Sequence, residues 1–231
     1  MNVSKEFSKY ATSYNSYNII QDKVIKHLLQ KLPSNLEKPK HILDLGCGSG
    51  SLCKQIDWEY ESFRGVDFAS GMLALHPRSK SIECIYGDFN DNELFDSLKD
   101  KKYDRIFSAS ALQWALDLDK VFKKIKELNA PLSLAIFTSG TFKTLNKTAS
   151  LDPLLKSAQE IEKLYKRYFD LDVERVQYKL EFESTREMFQ YIKKSGVSGS
   201  RKILGYKQTK ELIKNYPLTY LEFEVVFLSS K

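Results

Sequence analysis

Ile42-Leu43-Asp44-Leu45-Gly46-Cys47-Gly48-Ser49-Gly50 is the stretch on which the fold turns: a short apolar run passes into three glycines set at alternate positions. Glycine takes positive φ without steric cost and lets a ligand approach the main chain where a Cβ would collide. Asp67 ends the next strand-like run about 20 residues on, where a carboxylate can accept both ribose hydroxyls of a nucleotide. A dinucleotide fingerprint reads G-x-G-x-x-G and aims a helix N-terminus at pyrophosphate. Here the order is Asp-x-Gly-x-Gly-x-Gly, with an acid one step ahead of the loop. A carboxylate there repels phosphate and attracts an ammonium, so the loop suits a nucleoside that carries an amino acid.

Glycines after a strand also make an ordinary tight strand-to-helix turn, and the loop by itself does not separate the two readings. The next two strand ends do. Phe63-Arg64-Gly65-Val66-Asp67 closes on an acid, and Ile82-Glu83-Cys84-Ile85-Tyr86-Gly87-Asp88-Phe89 closes on Gly-Asp-aromatic. With these in place the segment resembles motif I of the class I S-adenosylmethionine-dependent methyltransferases. The resemblance implies that Gly46, Cys47, Gly48 and Gly50 cradle the cofactor and that Asp44 meets its ammonium. It implies further that Asp67 binds the ribose, that Asp88 contacts the adenine amino group, and that Phe68, Met72 and Phe89 surround the ring. Tyr10, Gln21 and Ser108 complete the expected cofactor set. The loop is expected to keep its geometry without help from Asp67.

At 231 residues the chain is about one to one and a half average domains, so one core is the default. Hydrophobic residues make up 42% of it, no apolar run approaches the ~20 residues that span a bilayer, and the Met1-Asn2-Val3-Ser4 start lacks a signal-peptide core. A cytoplasmic protein without membrane association is expected. Three cysteines, Cys47, Cys53 and Cys84, are odd in number and fall on the loop, the helix after it and the third strand, which argues against a disulfide framework. His27, His41 and His76 are scattered without ligand spacing, and no metal is expected.

Apolar alternation marks strands at 41–45, 62–67, 81–86, 103–108 and 132–138, separated by helical segments near 50–56, 69–75, 92–99 and 117–128. Alternating strands and helices predict an α/β fold with a parallel sheet. Helical periods near 141–148 and 154–168 follow, then a strand from Val173 to Phe182, a helix from Ser184 to Lys194 and a final strand from Leu218 to Leu228. Ser184 and Glu187 have capping-box spacing. Ahead of the first strand, Ile20, Val24 and Leu28 make a plain apolar stripe on a helix from Ile19 to Leu32. Phe7, Tyr10, Tyr14 and Tyr17 recur at spacings of three and four, which puts aromatics with polar tips on one helix face, as a closing lid would.

Phe7…Ala11…Tyr14…Gln21, the Leu-Asp-Leu-Gly-Cys-Gly loop, Ser110-Ala111-Leu112-Gln113-Trp114, Phe137-Thr138, Lys193-Lys194-Ser195-Gly196-Val197-Ser198-Gly199 and Tyr216-Pro217-Leu218-Thr219-Tyr220 lie along nearly the whole chain. Together they resemble the malonyl-acyl-carrier-protein O-methyltransferases of biotin synthesis; the segment from 142 to 170 departs most, being short and lysine-rich. The resemblance implies a seven-stranded, mostly parallel, doubly wound sheet with its last strand antiparallel, plus an N-terminal helical lid. It divides a single methyltransferase domain, 1–231, into lid and helix (1–33), cofactor core (41–138) and substrate-side helices with closing strands (139–231). It implies S-adenosyl-L-methionine as cofactor, a malonyl group on acyl carrier protein as substrate, and a monomer. A carboxylate is ionised near neutral pH, so the reaction needs no base, only groups that orient it. Tyr14, Gln113, Trp114 and a basic residue between Lys193 and Arg201 are the candidates, with Arg201 preferred because a guanidinium matches a carboxylate bidentately.

The net charge of +6 suits an acidic carrier and equally invites nucleic acid. Against base methylation, Ser108-Ala109-Ser110-Ala111 lacks the Asn/Asp-Pro-Pro-aromatic pattern of amino-directed enzymes, and no Pro-Cys offers a nucleophile. The lysine clusters Lys123-Lys124-Lys126 and Lys163-Lys166-Arg167 read as solvated helix faces. Another small-molecule acceptor such as a quinone precursor, tRNA, and a cofactor-binding subunit without activity remain as alternatives.

Overall fold

The computed structural model describes residues 18–33, 37–170, 172–195 and 206–230. Helix α1 (Ile19–Gln30) leads into β1 (His41–Leu45), α2 (Ser51–Gln55), β2 (Ser62–Asp67), α3 (Ser70–Leu73), β3 (Ile82–Tyr86), α4 (Asn92–Leu98) and β4 (Arg105–Ala109). A 3-10 turn (Leu112–Trp114) then precedes α5 (Leu118–Glu127), β5 (Leu132–Phe137), α6 (Lys143–Thr148), α7 (Ala158–Tyr165), β6 (Asp172–Glu181), α8 (Thr185–Ser195), α9 (Tyr206–Asn215) and β7 (Tyr220–Ser229).

The strands form one seven-stranded sheet in the order β3-β2-β1-β4-β5-β7-β6. The β1–β2, β2–β3, β1–β4 and β4–β5 pairs are parallel, and β7 runs antiparallel between β5 and β6. The expected sheet, with its antiparallel last strand, is the one found. From β1 the chain builds outward through β2 and β3, then returns to the other flank of β1 for β4 and β5. The strand order reverses between β1 and β4, and the crevice beyond the carboxyl ends of strands at such a reversal is where open α/β sheets bind ligands.

Side chains alternate across β1, and both faces are covered, so nearly every residue of the central strands is buried. Leu43 and Leu45 pack with Phe95 of α4, Phe122 of α5 and Tyr165 of α7 on one face. Ile42 packs with Ile20, Val24 and Leu28 of α1 and with Met188 and Tyr191 of α8 on the other. The apolar stripe of α1 is thus core, as its spacing predicts.

Two local expectations change. The capping box at Ser184 is half made: Ser184 Oγ accepts from Glu187 N at 3.2 Å, but the Glu187 carboxylate accepts from Glu183 N, one residue early. A complete box closes α7 instead, where Ser157 Oγ accepts from Glu160 N and Glu160 Oε2 accepts from Ser157 N. Helix α9 was not expected, because Leu212 and Ile213 are the only aliphatic residues along Tyr206–Asn215, too few to mark a helix in the sequence. The lid segment with Tyr10 and Tyr14, and Arg201, lie outside the described residues.

Candidate active site

The end of β1 sets the site. Gly46, Gly48 and Gly50 take φ of +80°, +54° and +81°, conformations that residues with a Cβ rarely adopt. Gly46 N and Cys47 N both donate to Val66 O of β2, at 2.8 and 3.0 Å, which turns the loop across the sheet end. A Cβ on Gly46 would stand 2.2 Å from Ala111 Cβ, so the turn after β4 closes directly on the loop. A Cβ on Gly48 would meet only the end of the Met72 side chain, at 3.3 Å, and this glycine forms the floor of an open cleft. Gly50 is not on the cleft wall: it begins α2, and its missing Cβ leaves room for Pro77 and His76.

The cleft lies at the strand-order reversal and opens to solvent. Of the expected residues, Gln21, Asp44, Gly46, Cys47, Gly48, Asp67, Phe68, Met72, Phe89 and Trp114 line it. Phe68 and Phe89 lie 6.4 Å apart between centroids with their rings tilted by 58°, and with Met72 they form an apolar wall beside Asp67.

Asp67 Oδ2 accepts from Gly48 N at 2.9 Å and Oδ1 from Ala69 N at 2.8 Å. This corrects one expectation, since the carboxylate also holds the loop it faces. A carboxylate has about four acceptor sites, so these bonds do not use up its capacity for a ligand. Burial raises the Asp67 pKa while the backbone N–H groups of Ala69, Gly48 and Phe68 oppose the shift. Asp44, only 2% exposed, is pushed up to about 8 by burial and then by the charge of Asp67. No cation pairs with it among the described residues. Burial also raises the Cys47 thiol well above its ordinary value, so Cys47 is a wall group and not a nucleophile.

Besides Gly50, three expected residues lie off the wall. Ser108 is fully buried and donates its hydroxyl proton to Leu45 O at 2.6 Å, tying β4 to β1 beneath the cleft. Asp88 Oδ1 accepts from Asn90 N and Asn90 Nδ2 at 2.9 and 2.7 Å, shaping the turn that presents Phe89. Gln113 sits behind the wall, where its Nε2 donates to Ser110 O at 2.6 Å. Sequence reasoning passed over Ile25, Ser49, Ser51, Leu52, Ala109, Ser110 and Ala111, which also line the cleft. Ser110 and Ala111 fall inside a quoted motif, whereas Ile25 and Leu52 are wall residues only through helix packing.

These walls fit a cationic nucleoside–amino acid conjugate. They carry two carboxylates and, at Gln21 Oε1, a buried acceptor without a partner among the described residues. None of their described residues is a lysine, arginine or histidine. The glycine floor admits the backbone-hugging part of such a ligand, and the Phe68–Phe89 wall offers an apolar face to a base. Among the described residues no group of three or more His, Cys, Asp or Glu is placed to hold a metal, and no helix is long and apolar enough to cross a membrane.

Residues 43–137, from β1 through β5, match the family described as the methyltransferase domain. The chain is similar to the malonyl-[acyl-carrier protein] O-methyltransferase of Bacillus cytotoxicus, 24% identical over 86% of this chain and 76% of that one. It is similar to the enzyme of the same name from Brevibacillus brevis, 26% identical over 99% of this chain and 96% of that one. Among solved structures, the YcgJ protein of Bacillus subtilis shares the fold, with a TM-score of 0.63 at 11% identity over 90% of this chain and 99% of that one.

Proposed function

We propose that this chain, a class I S-adenosylmethionine-dependent methyltransferase, esterifies the free carboxylate of a malonyl group carried as a thioester on an acyl carrier protein. The observation that carries the substrate is similarity along almost the whole chain to enzymes named for that acceptor. The cleft supports it chemically.

When bound, the cofactor supplies an electrophilic methyl on a sulfonium: the O–CH3 bond forms as the S–CH3 bond breaks, the electron pair stays on sulfur, and a neutral ester and thioether result. No proton moves, and the cleft accordingly needs no base near the acceptor. Asp44 and Gln21 Oε1 receive the cofactor's ammonium, Asp67 accepts from its ribose hydroxyls, and Phe68, Met72 and Phe89 enclose its base. Asp88 acts one step back, by shaping the turn that presents Phe89. Trp114 borders the transfer end. None of the described wall residues is cationic, so the cation that orients a substrate carboxylate is assigned to the segment between Lys193 and Arg201, with Tyr14 as a further candidate to orient it. A cytoplasmic monomer serving biotin synthesis completes the reading.

The test is to offer methyl-labelled cofactor with malonyl-carrier, malonyl-coenzyme A, a quinone precursor and tRNA in parallel. Label should enter the two malonyl thioesters and leave them on mild base treatment, as an ester does. Label in the quinone precursor or tRNA alone would overturn the substrate.

A further inference from the structure

Ser110 stands out in the cleft wall for two independent reasons. Its φ is +62°, in the left-handed region that costs a non-glycine residue about 1–2 kcal/mol. Both of its backbone groups are nevertheless fixed, with Ser110 N donating to Ala135 O at 2.9 Å and Ser110 O accepting from Gln113 Nε2 at 2.6 Å. Strain held in place by its surroundings is a mark of functional positions. Its hydroxyl oxygen, in addition, is buried and has no hydrogen-bond partner among the described residues, a condition that costs free energy unless a ligand relieves it.

The topology says which ligand. The nucleoside side of the cleft, with Asp67, Phe68 and Phe89, lies beyond the ends of β2 and β3, on one flank of β1. Ser110 follows β4, on the opposite flank, where Ala111 touches the glycine loop at Gly46. With the ribose assigned to Asp67 and the base to the Phe68–Phe89 side, this flank is left for the methionine end of the cofactor, from which the methyl leaves and to which the acceptor must come. A serine hydroxyl turns about one χ1 bond, so the oxygen reaches the cleft without a backbone shift.

We infer that Ser110 is a substrate-positioning residue, whose hydroxyl donates a hydrogen bond to the acceptor carboxylate and holds the other oxygen in line with the methyl. The inference rests on the carboxylate reading of the acceptor. Gln113 has a supporting part: its bond to Ser110 O keeps the serine in the strained turn.

The test uses two variants that lose the same donor and differ in strain. Ser110→Ala keeps a Cβ at positive φ, whereas Ser110→Gly relieves it. Both should raise KM for malonyl-carrier about ten- to hundredfold, the usual worth of a bond to a charged group, and leave the cofactor Kd within about twofold. Thermal stability should separate them, with the glycine variant at or above wild type. Ser110→Asn, which tolerates the left-handed region and restores a donor, should recover part of the lost affinity. If KM losses follow stability instead, or if the cofactor Kd rises with unchanged KM, Ser110 is a structural or cofactor residue and the inference fails. Wild-type turnover of malonyl-carrier with unaltered variants would overturn this inference alone; no wild-type turnover of any malonyl thioester would overturn the carboxylate reading with it.

Discussion

Asp44 couples the site to pH. An unfolded aspartate titrates near 4 and the folded one near 8, so its ionisation opposes folding. The sign follows from the raised value: the penalty is absent below about pH 4, grows through the window between, and is complete above about pH 8. Asp44→Asn should therefore stabilise the ligand-free protein at pH 7, by about 1–3 kcal/mol, in denaturant unfolding. It should at the same time weaken cofactor binding, because an ammonium beside Asp44 favours the carboxylate. In wild type, affinity should rise from pH 5 to 7 with proton release visible in calorimetry, and the asparagine variant should show neither. Asp67 makes a second case: Asp67→Ala removes acceptors for the ribose and also for Gly48 N, and should cost about 2–4 kcal/mol of cofactor binding. Asp67→Asn, which keeps one acceptor oxygen, should lose about half as much. Equal losses would mean that only charge matters there. The place of Asp44, Asp67, Phe68 and Phe89 on the cleft wall was legible because each stands within three residues of a strand end, at a spacing set by the sheet. Ser110 was not, since its strain and its unpaired hydroxyl arise only when the turn after β4 closes on Gly46.

At the scale of elements, the site depends on two loops meeting across the strand-order reversal. Gly46→Ala would drive a Cβ to 2.2 Å from Ala111 Cβ and should cost about 1–3 kcal/mol in unfolding experiments, besides the strain at positive φ. Adding Ala111→Gly should restore part of it. Strict additivity of the two changes would show that the loops do not press on each other. The strands were readable because apolar runs between turn signals leave little choice: β1 spans the expected residues, and β4 and β5 differ only at their ends. Helix α9 was missed because it offers only two aliphatic residues in ten, and the box at Ser157 because the expected helix began before that serine.

On the scale of the whole molecule, a net charge of +6 gives long-range attraction to an acidic partner that contacts in the cleft do not supply. Raising ionic strength from 0.01 to 0.15 M shortens the Debye length from about 30 to about 8 Å. The kcat/KM for malonyl-carrier should then fall severalfold, while that for malonyl-N-acetylcysteamine, which lacks the carrier's surface, changes much less. Parallel decline of the two would remove the carrier from the account. The central claim, carboxyl methylation of a carrier-bound malonyl group, is tested most directly by the intact mass of malonyl-carrier after incubation with protein and cofactor. The account predicts a gain of one methyl on the malonyl group, reversed by mild base and absent when the carrier bears acetyl. An unchanged mass with active protein and saturating cofactor, or an equal gain on acetyl-carrier, would contradict it.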